Sequence, residues 1–345
     1  MPWSEVHKLV HLFVQRGWVK CKSKNRTRMS PLEIKILGTL YWLGEGCSFR
    51  TIYNLSGRVL TAVSFNLFAK MFCARVANKL GPHYIKTPSN VRELQRVEAT
   101  YATLGFPGAC GSTDGVQIVW EGCPFALRRS AIGKEKYPTL GFNVTVDHEC
   151  RILYICSVFL GRYNDKTKIQ YDEYCHRLRS GTFAGFEYSV LDEDGQPTRC
   201  TTPYLICDNG YHRWKQLMCP YKTTSNEALA LWSKHLESTR KDVERTFGCM
   251  KKRFKILKIP LLFRDVAFIN DIFVTCAVLH NKLLTHDAQF DQTGGRFRYR
   301  VSRGIPISQR RRILLNNVNR LLNASDDYSY VGRELVEDLI VQVDS

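Results

Sequence analysis

Along the first hundred residues the apolar positions recur at three- and four-residue spacings, and beyond about residue 105 they alternate in twos. In the first region "SPLEIKILGTLYWLGEG" places Ser30 as an N-cap, Pro31 at the first helical position and Glu33 three residues after the cap, a capping box that predicts a helix to about Leu43 with Gly44 and Gly46 as its end. Ser48 then caps a short helix over "FRTIYNL", and after Gly57 a longer helix over "LTAVSFNLFAKMFCARVANKL" is expected to stop at Gly81-Pro82. This order of helix, turn, helix, turn, longer helix suits a helix-turn-helix-like DNA-binding module. Arg50, Arg58, Lys70, Arg75 and Lys79 are its candidate DNA contacts. A small all-helical bundle that supports the next domain fits the same pattern.

In the second region "GACGSTDGVQIVW", "TLGFNVTVD" and "RILYICSVFLG" read as three antiparallel strands, the last two joined by a connection at residues 147–150. A helix over "KTKIQYDEYCHRLRS", a loop containing "DEDGQP", a short apolar strand in "TPYLICD" and another in "LMCPYK" follow. The pattern is helical again from about Asn226 to Lys255, and "RDVAFINDIFVTCAVLHNKLL" reads as an apolar core helix. Strands first and then strand alternating with helix predict an α/β fold, a mixed sheet flanked by helices. The expected organisation is a basic arm over 1–28, the helical module over 29–96, the sheet domain over 105–285, and peripheral helices and loop over 286–345.

Charge narrows the function. The 345 residues carry a formal charge of +18, and residues 1–96 supply a surplus of 12 from 16 Lys and Arg against four Glu. A polyanion, most simply nucleic acid, is the partner such a surplus attracts, with an anionic membrane surface as the competitor. The run "KCKSKNRTR" at 20–28 suits a phosphate-binding arm, a nuclear import signal or a solvated linker. No apolar run is expected to span a bilayer and no secretory signal is apparent, so the chain is expected in the cell or its nucleus. The 13 cysteines form no CxxC pair and are expected to be reduced core thiols.

Three acids stand out against this basic background. Asp114 lies in the first strand, Asp208 leaves the strand "YLIC", and Glu244 sits on the long helix. In a sheet whose first and fourth strands are neighbours they can converge at one end, where hard carboxylate oxygens suit Mg²⁺ or Mn²⁺ and phosphodiester chemistry. Each acid also has an ordinary reading. Asp114-Gly115 and Asp208-Asn209-Gly210 are good turns, and Glu244 can pair with Lys241 or Arg240 on its own helix. On that helix Val243, Phe247, Met250, Phe254 and Leu257 form the predicted core stripe, with Glu244 at its border beside a gap at Gly248. Arg245, Lys251, Lys252 and Arg253 are candidate phosphate contacts, Arg245 alternatively a carboxylate partner. His212 and Tyr211 either line the cleft or tuck beneath the strand end.

"GSTDG", "VFLGRYNDKT", "YLICDNGY" and "VERTFGCMKKRFKIL" are similar, in order, to the signature blocks of Harbinger-type transposases, DDE superfamily endonucleases. "WEGCPFALRRSAIGKEKYPTLGFNVTVDHECRI" looks like the plant-transposon branch. The resemblance covers about residues 105–285 and implies a ribonuclease H-like core with Asp114, Asp208 and Glu244 as the catalytic, metal-binding triad, at separations of 94 and 36 residues. It also implies Mg²⁺- or Mn²⁺-dependent hydrolysis at transposon ends, attack of the freed 3′ hydroxyl on target DNA, an N-terminal helix-turn-helix and a Myb-like partner protein. A homo-oligomer and a nuclear location accompany that expectation. Gln117 stands where many relatives have His, and Asn164-Asp165 stands for the usual His-Asp; Asp165, and His212 just after Asp208, are candidate supporting residues. The alternative is a domesticated relative that binds DNA or a partner without cutting.

Overall fold

The computed structural model describes residues 3–19, 30–191 and 196–287. The expected peripheral helices beyond residue 290 and the basic run at 20–28 lie outside the described residues. Two compact units divide the chain, the smaller containing residues 3–19, 30–42 and 47–72 and the larger residues 43–46 and 73–284.

The smaller unit is built on α1 (Trp3–Gln15), α3 (Phe49–Leu55) and most of α2 (Leu32–Glu45) and α4 (Ala62–Arg75). Residues 3–15, expected as part of a basic arm, form a core helix because Val6, Leu9 and Phe13 share one face, and Phe13 stacks on Phe72 at 5.3 Å. The helix α2 opens one residue later than expected, with the Pro31 carbonyl accepting from the Lys35 amide at 3.3 Å while the Ser30 hydroxyl donates to the Val59 carbonyl. It continues through Gly44 and ends at Gly46, whose φ of 66° needs no Cβ in the way. Ser48 caps α3 as expected, accepting from the Thr51 amide at 3.2 Å.

In the larger unit α4 does not stop at Gly81-Pro82. It passes through a π-turn at Val76–Leu80 into α5 (Gly81–Tyr84), because Gly81 is helical and Pro82 sits in a first turn, where its missing N–H is not needed. The remaining elements are α6 (Val91–Thr103), β1 (Ala109–Val119), α7 (Phe125–Ala131), β2 (Thr139–Val146), β3 (Ile152–Ile155), β4 (Phe159–Leu160), α8 (Asp165–Ile169) and α9 (Glu173–Arg179). After them come β5 (Tyr188–Leu191), β6 (Pro197–Cys200), β7 (Tyr204–Ile206), β8 (Leu217–Met218), α10 (Glu227–Arg253) and α11 (Val266–Asp287).

The sheet order is β3-β2-β1-β7-β8, with β4 pairing β2. β1, β2 and β3 are antiparallel in succession, whereas β7 is parallel to β1 and β8 to β7. This six-stranded mixed sheet flanked by helices has the ribonuclease H-like strand order. Alternate residues of β1 and β7 face opposite layers. Ala109, Tyr204 and Ile206 meet Tyr101 of α6, Leu236 of α10 and Phe106 between α6 and β1, while Cys110, Leu205 and Cys207 meet Ile169, Tyr174 and Leu178 from α8 and α9.

Three local differences from the sequence expectation have clear causes. The single helix after β4 is two, because buried Asp172 turns to cap α9 and accepts from the Cys175 amide at 2.9 Å. The segments on either side of "DEDG" form the ribbon β5-β6 where a loop was expected. The helix α6 carries its own start signal, Asn90 accepting from the Glu93 amide and the Glu93 carboxylate accepting from the Ser89 amide.

α11 has the length and composition of a membrane-crossing helix, contrary to the expectation that no segment does, yet it is a core helix here. Phe273 stacks on Phe142 of β2 at 3.9 Å, and Asn281 clasps the edge strand β3, accepting from the Ile152 amide and donating to its carbonyl. The 12 described cysteines are free thiols, eight of them buried.

His280, next to that clasp, is fully buried. Its Nε2–H donates to the Cys150 carbonyl at 2.9 Å and its Nδ1 accepts from Arg253 Nη1 at 3.1 Å. Burial first, and the Arg253 charge second, push its pKa down to about 3. An unfolded imidazole binds a proton near pH 6.5 and the folded one does not, so stability is full above that pH and is lost as pH falls toward 3, by up to ~1.4 kcal/mol per pH unit. Denaturant titrations between pH 7 and 5 are expected to show this loss, and His280→Gln to flatten it; an unchanged slope in the variant would show that another group is responsible.

Candidate active site

Because β1 runs on past the end of β7, Asp114 stands beside the point where the chain leaves the sheet after Ile206. Asp114 Oδ1 accepts from the Gly115 amide at 2.7 Å, and Asp208 Oδ1 accepts from the Gly210 amide at 2.7 Å, so both acids do make the local turn contacts their sequences suggest. They do so facing a common space. A Cβ added at Gly210 would lie 2.9 Å from Asp208 Oδ1 and 3.5 Å from Asp165 Oδ2, and one at Gly115 would lie 2.6 Å from Asp165 Oδ1. These two glycines leave the room in which Asp165 reaches the neighbourhood of the two strand-end acids.

Asp165 opens α8, which Asn164 caps by accepting from the Thr167 amide at 2.9 Å. Its carboxylate pairs with Lys168 at 2.9 Å, and the Lys168 side chain, only 2% exposed, runs under Gly115 and Gly141. The Gln117 carboxamide touches the same space at Gly141, and its buried Oε1 has no hydrogen-bond partner.

Glu244 comes from α10, 47% exposed, with Oε1 2.6 Å from Arg240 Nη2. Arg240 is the centre of this side of the site. Its Nη1 donates to Asp114 Oδ2 at 3.2 Å and its Nε to Glu237 at 3.1 Å, with the side chain only 10% exposed. The i,i−4 pairing of Glu244 with Arg240 therefore forms, and in the same contact set the guanidinium joins Glu244 to Asp114. Burial opposes the Arg240 charge, but the Glu244 hydrogen bond and the fields of Asp114 and Glu237 outweigh it and raise its pKa. Asp114 goes up to about 6, chiefly through burial; the Gly115 amide and Arg240 pull down, and Asp208 and Asp165 push up.

A buried polar network fixes the loop behind Asp208. The Tyr211 hydroxyl donates to Asn143 Oδ1 at 2.6 Å, and Asn143 Nδ2 donates to Asp172 at 2.8 Å and to Thr113 at 3.1 Å. Tyr211 thus tucks beneath the strand end. His212 stacks on Trp214 at 4.7 Å and pairs with Gln170. A second network seats α10, with buried Asp242 pairing with His148 Nδ1 at 2.7 Å and with Arg245.

The basic residues expected on a DNA path divide by role. Arg245 is engaged by Asp242, Arg253 by His280, and Lys251 is half-buried near Glu135, its pKa lowered by burial. Lys252 is exposed, as are Arg50, Arg58, Lys70, Arg75 and Lys79. Val243, Met250, Phe254 and Leu257 are buried as the helical stripe requires, while Phe247 is half-buried. A Cβ at Gly248 would meet nothing within 4 Å, so packing does not demand a glycine there.

The donor set of Asp114, Asp165, Asp208 and Glu244 is all hard oxygen, which fits Mg²⁺ or Mn²⁺ in type. In conformation it is not assembled: among the described residues no three His, Cys, Asp or Glu side chains stand as a group that could hold an ion. Arg240 takes one oxygen from Asp114 and one from Glu244, which accounts for part of that shortfall. Sequence reasoning reached the Arg240–Glu244 pair but missed the tertiary contact of Arg240 with Asp114, and it missed the burial of Lys168 beside Asp165, because neither leaves a mark on local pattern.

Residues 82–291 match the family model of plant transposon proteins. No curated protein and no solved structure gives a significant match. The matched segment spans well over half of the chain and contains all four carboxylates of the site, so the chain belongs to the plant transposon protein family.

Proposed function

We propose that this protein is a metal-dependent DNA endonuclease and transposase of the Harbinger type, cutting at transposon ends and joining the freed 3′ hydroxyl to target DNA. The observation that carries the reading is that Asp114 on β1 and Asp208 just beyond β7 face a common space at one end of the sheet, which Asp165 reaches over Gly115 and Gly210. A divalent ion held by Asp114, Asp208 and Glu244 would polarise the scissile phosphate and activate the attacking water or 3′ hydroxyl. The chain's own part is to present those oxygens from a strand, a strand end and a helix, to lock the Asp208 loop through Tyr211 and Asn143, and to offer exposed cations to the flanking phosphates. On this reading the protein acts in the nucleus, with a Myb-like protein or a second copy of the chain as its partner.

Binding of DNA or a partner without cleavage is the second reading, and the engagement of two triad carboxylates by Arg240 favours it. A nicking assay on DNA bearing the element's terminal repeats separates the two. The wild type is expected to nick in Mg²⁺ or Mn²⁺ and not in chelator, and Asp208→Ala to reduce nicking to background with binding retained. A wild type that binds in a salt-sensitive manner and never nicks establishes the second reading instead.

Gly115→Ala tests the geometry without removing a carboxylate, since its methyl would come within 2.6 Å of Asp165 Oδ1 and 2.9 Å of Lys168 Nζ. Displacing these groups by about an ångström is expected to slow cleavage by roughly 10²-fold. Cleavage rates, with circular dichroism melts as the control for folding, measure it. Wild-type cleavage by this variant would mean that the close approach of Asp165 is unimportant.

A further inference from the structure

Phe125, the first residue of α7, is the most exposed large apolar side chain among the described residues, at 93%. A single exposed apolar residue is ordinary by itself, but this one is held out on a rigid mount. Buried Trp120 donates from Nε1 to the Phe263 carbonyl at 2.8 Å, the Gly122 amide donates to the Leu261 carbonyl at 2.9 Å, and the Leu261 amide donates back to the Val119 carbonyl at 3.0 Å. That close approach requires Gly122, since a Cβ there would collide with the Leu262 carbonyl. Beyond Phe125, the Arg162 amide donates to the Ser130 carbonyl at 3.1 Å, and a Cβ at Gly133 would collide with the Gly161 carbonyl. The turn and the short helix that carry the ring are thus tied to the fold on both sides.

The charges around the ring are mainly positive. Residues 121–136 carry Arg128, Arg129, Lys134 and Lys136 against Glu121 and Glu135, and Arg162 and Arg264 adjoin them, a surplus of four. All six cations are exposed and none has an ion-pair partner among the described residues, whereas Arg240 and Arg245 on α10 are paired. Phe125 also borders a cleft of about 340 Å³ that Glu121, Cys123, Pro124 and Arg264 line with it. Unpaired cations attract phosphates whatever the sequence, and an exposed ring can stack on the face of any base. A second copy of this chain is the poorer occupant, because it would bring the same positive charge to the contact. Within a duplex each base face is covered by its neighbours, so the ring needs a base that has left the stack.

We propose that the turn after β1 and the helix α7 form a platform for unpaired DNA, with Phe125 stacking on a base outside the duplex and Arg128, Arg129 and Lys134 holding the phosphates on either side of it. The platform continues the strand that bears Asp114, and Arg162 beside it lies three residues before Asp165, so a strand bound there lies a few nucleotides from the carboxylates. The inference rests on reading the chain as a protein that acts on DNA, and it deepens that reading by naming the state of the DNA that is held and the residue that selects it.

Fluorescence anisotropy of the full chain in chelator, where no strand is cut, tests it on two duplexes that share one labelled strand, the first fully paired and the second left unpaired over three bases. The wild type is expected to bind the second tighter by roughly fivefold or more, the effect of stacking one base. Phe125→Ala is expected to abolish that preference with the paired duplex bound as before, and Phe125→Trp to keep it. Arg128→Gln together with Arg129→Gln is expected to weaken both duplexes alike and to lower the salt slope by about two. Melts report whether the variants fold. No preference in the wild type, a preference that survives Phe125→Ala, or an equal loss on both duplexes in that variant would overturn the platform, as would a change of its sedimentation that shows the ring joining two copies. A wild type that nicks terminal-repeat DNA without any such preference overturns the platform and leaves the nuclease standing. A preference that Phe125→Ala removes, in a chain that never nicks, supports the platform and sinks the nuclease.

Discussion

The pairing of β1 with two unlike neighbours is the constraint on which the rest depends. On one side β1 runs antiparallel to β2 along Ser112 to Val119; on the other it runs parallel to the much shorter β7, whose paired residues end at Ile206 against Ser112. The chain must leave the sheet at that step, and the carboxyl ends of parallel strands are where open α/β sheets leave a crevice for ligands. Asp114 lies two residues beyond Ser112 on the strand that continues, and Asp208 lies two residues beyond Ile206 on the strand that stops. Their proximity follows from register, without any attraction between them. Burial raises the Asp114 carboxyl to about 6, and the neighbouring Asp208 charge adds to that rise.

A cluster of carboxylates is stable only if something returns the charge, and here the return comes from inside the fold. Arg240 and Lys168 are among the few buried cations of the larger unit, and both are spent on the site. The same economy holds one turn along α10, where buried Asp242 is answered by Arg245 and His148. Part of the surplus of basic residues is therefore structural. It anchors the helix that carries Glu244, and losing one partner of such a pair costs more than the pair contributes, because the other is left charged and unpaired.

This explains which parts of the chain were legible before the structure. Asp114, Asp208 and Glu244 could be picked out because strand alternation, a strand exit and a helical stripe each have a local period, and the order of strands and helices follows from those periods. The helix over residues 3–15 is not legible because its spacing of Val6, Leu9 and Phe13 sits beside a dense run of basic residues, and the break between α8 and α9 is not legible because only burial distinguishes Asp172 from any polar helix residue. The pairs Arg240–Glu244 and Lys168–Asp165 follow helical spacing, but nothing local shows that they join one site. The importance of Arg240 and Lys168 is set by residues 126 and 3 positions away in the chain, and the near one, Asp165, matters only because Gly115 lets it approach the strand.

Reassigning the basic residues also changes where a DNA strand could be met. Arg245 and Arg253 are committed to Asp242 and His280, so the C-terminal part of α10 offers chiefly Lys252 and the half-buried Lys251. Glu135 lies close enough to Lys251 to act on its charge, and the Gly122 amide donates to the Leu261 carbonyl, so the segment after β1 adjoins the end of α10. That segment carries Arg128, Arg129, Lys134 and Lys136, all exposed, beside Phe125, which is 93% exposed. Asp114 is five residues before the end of β1, about 17 Å at the rise of a strand. On the proposed reading, phosphates a few nucleotides from the cut would meet this sheet end, where side chains are not tied to the fold, more readily than the arginines nearest Glu244 in sequence. Arg240, Arg245 and Arg253 are then mainly what holds α10 and its acid in place.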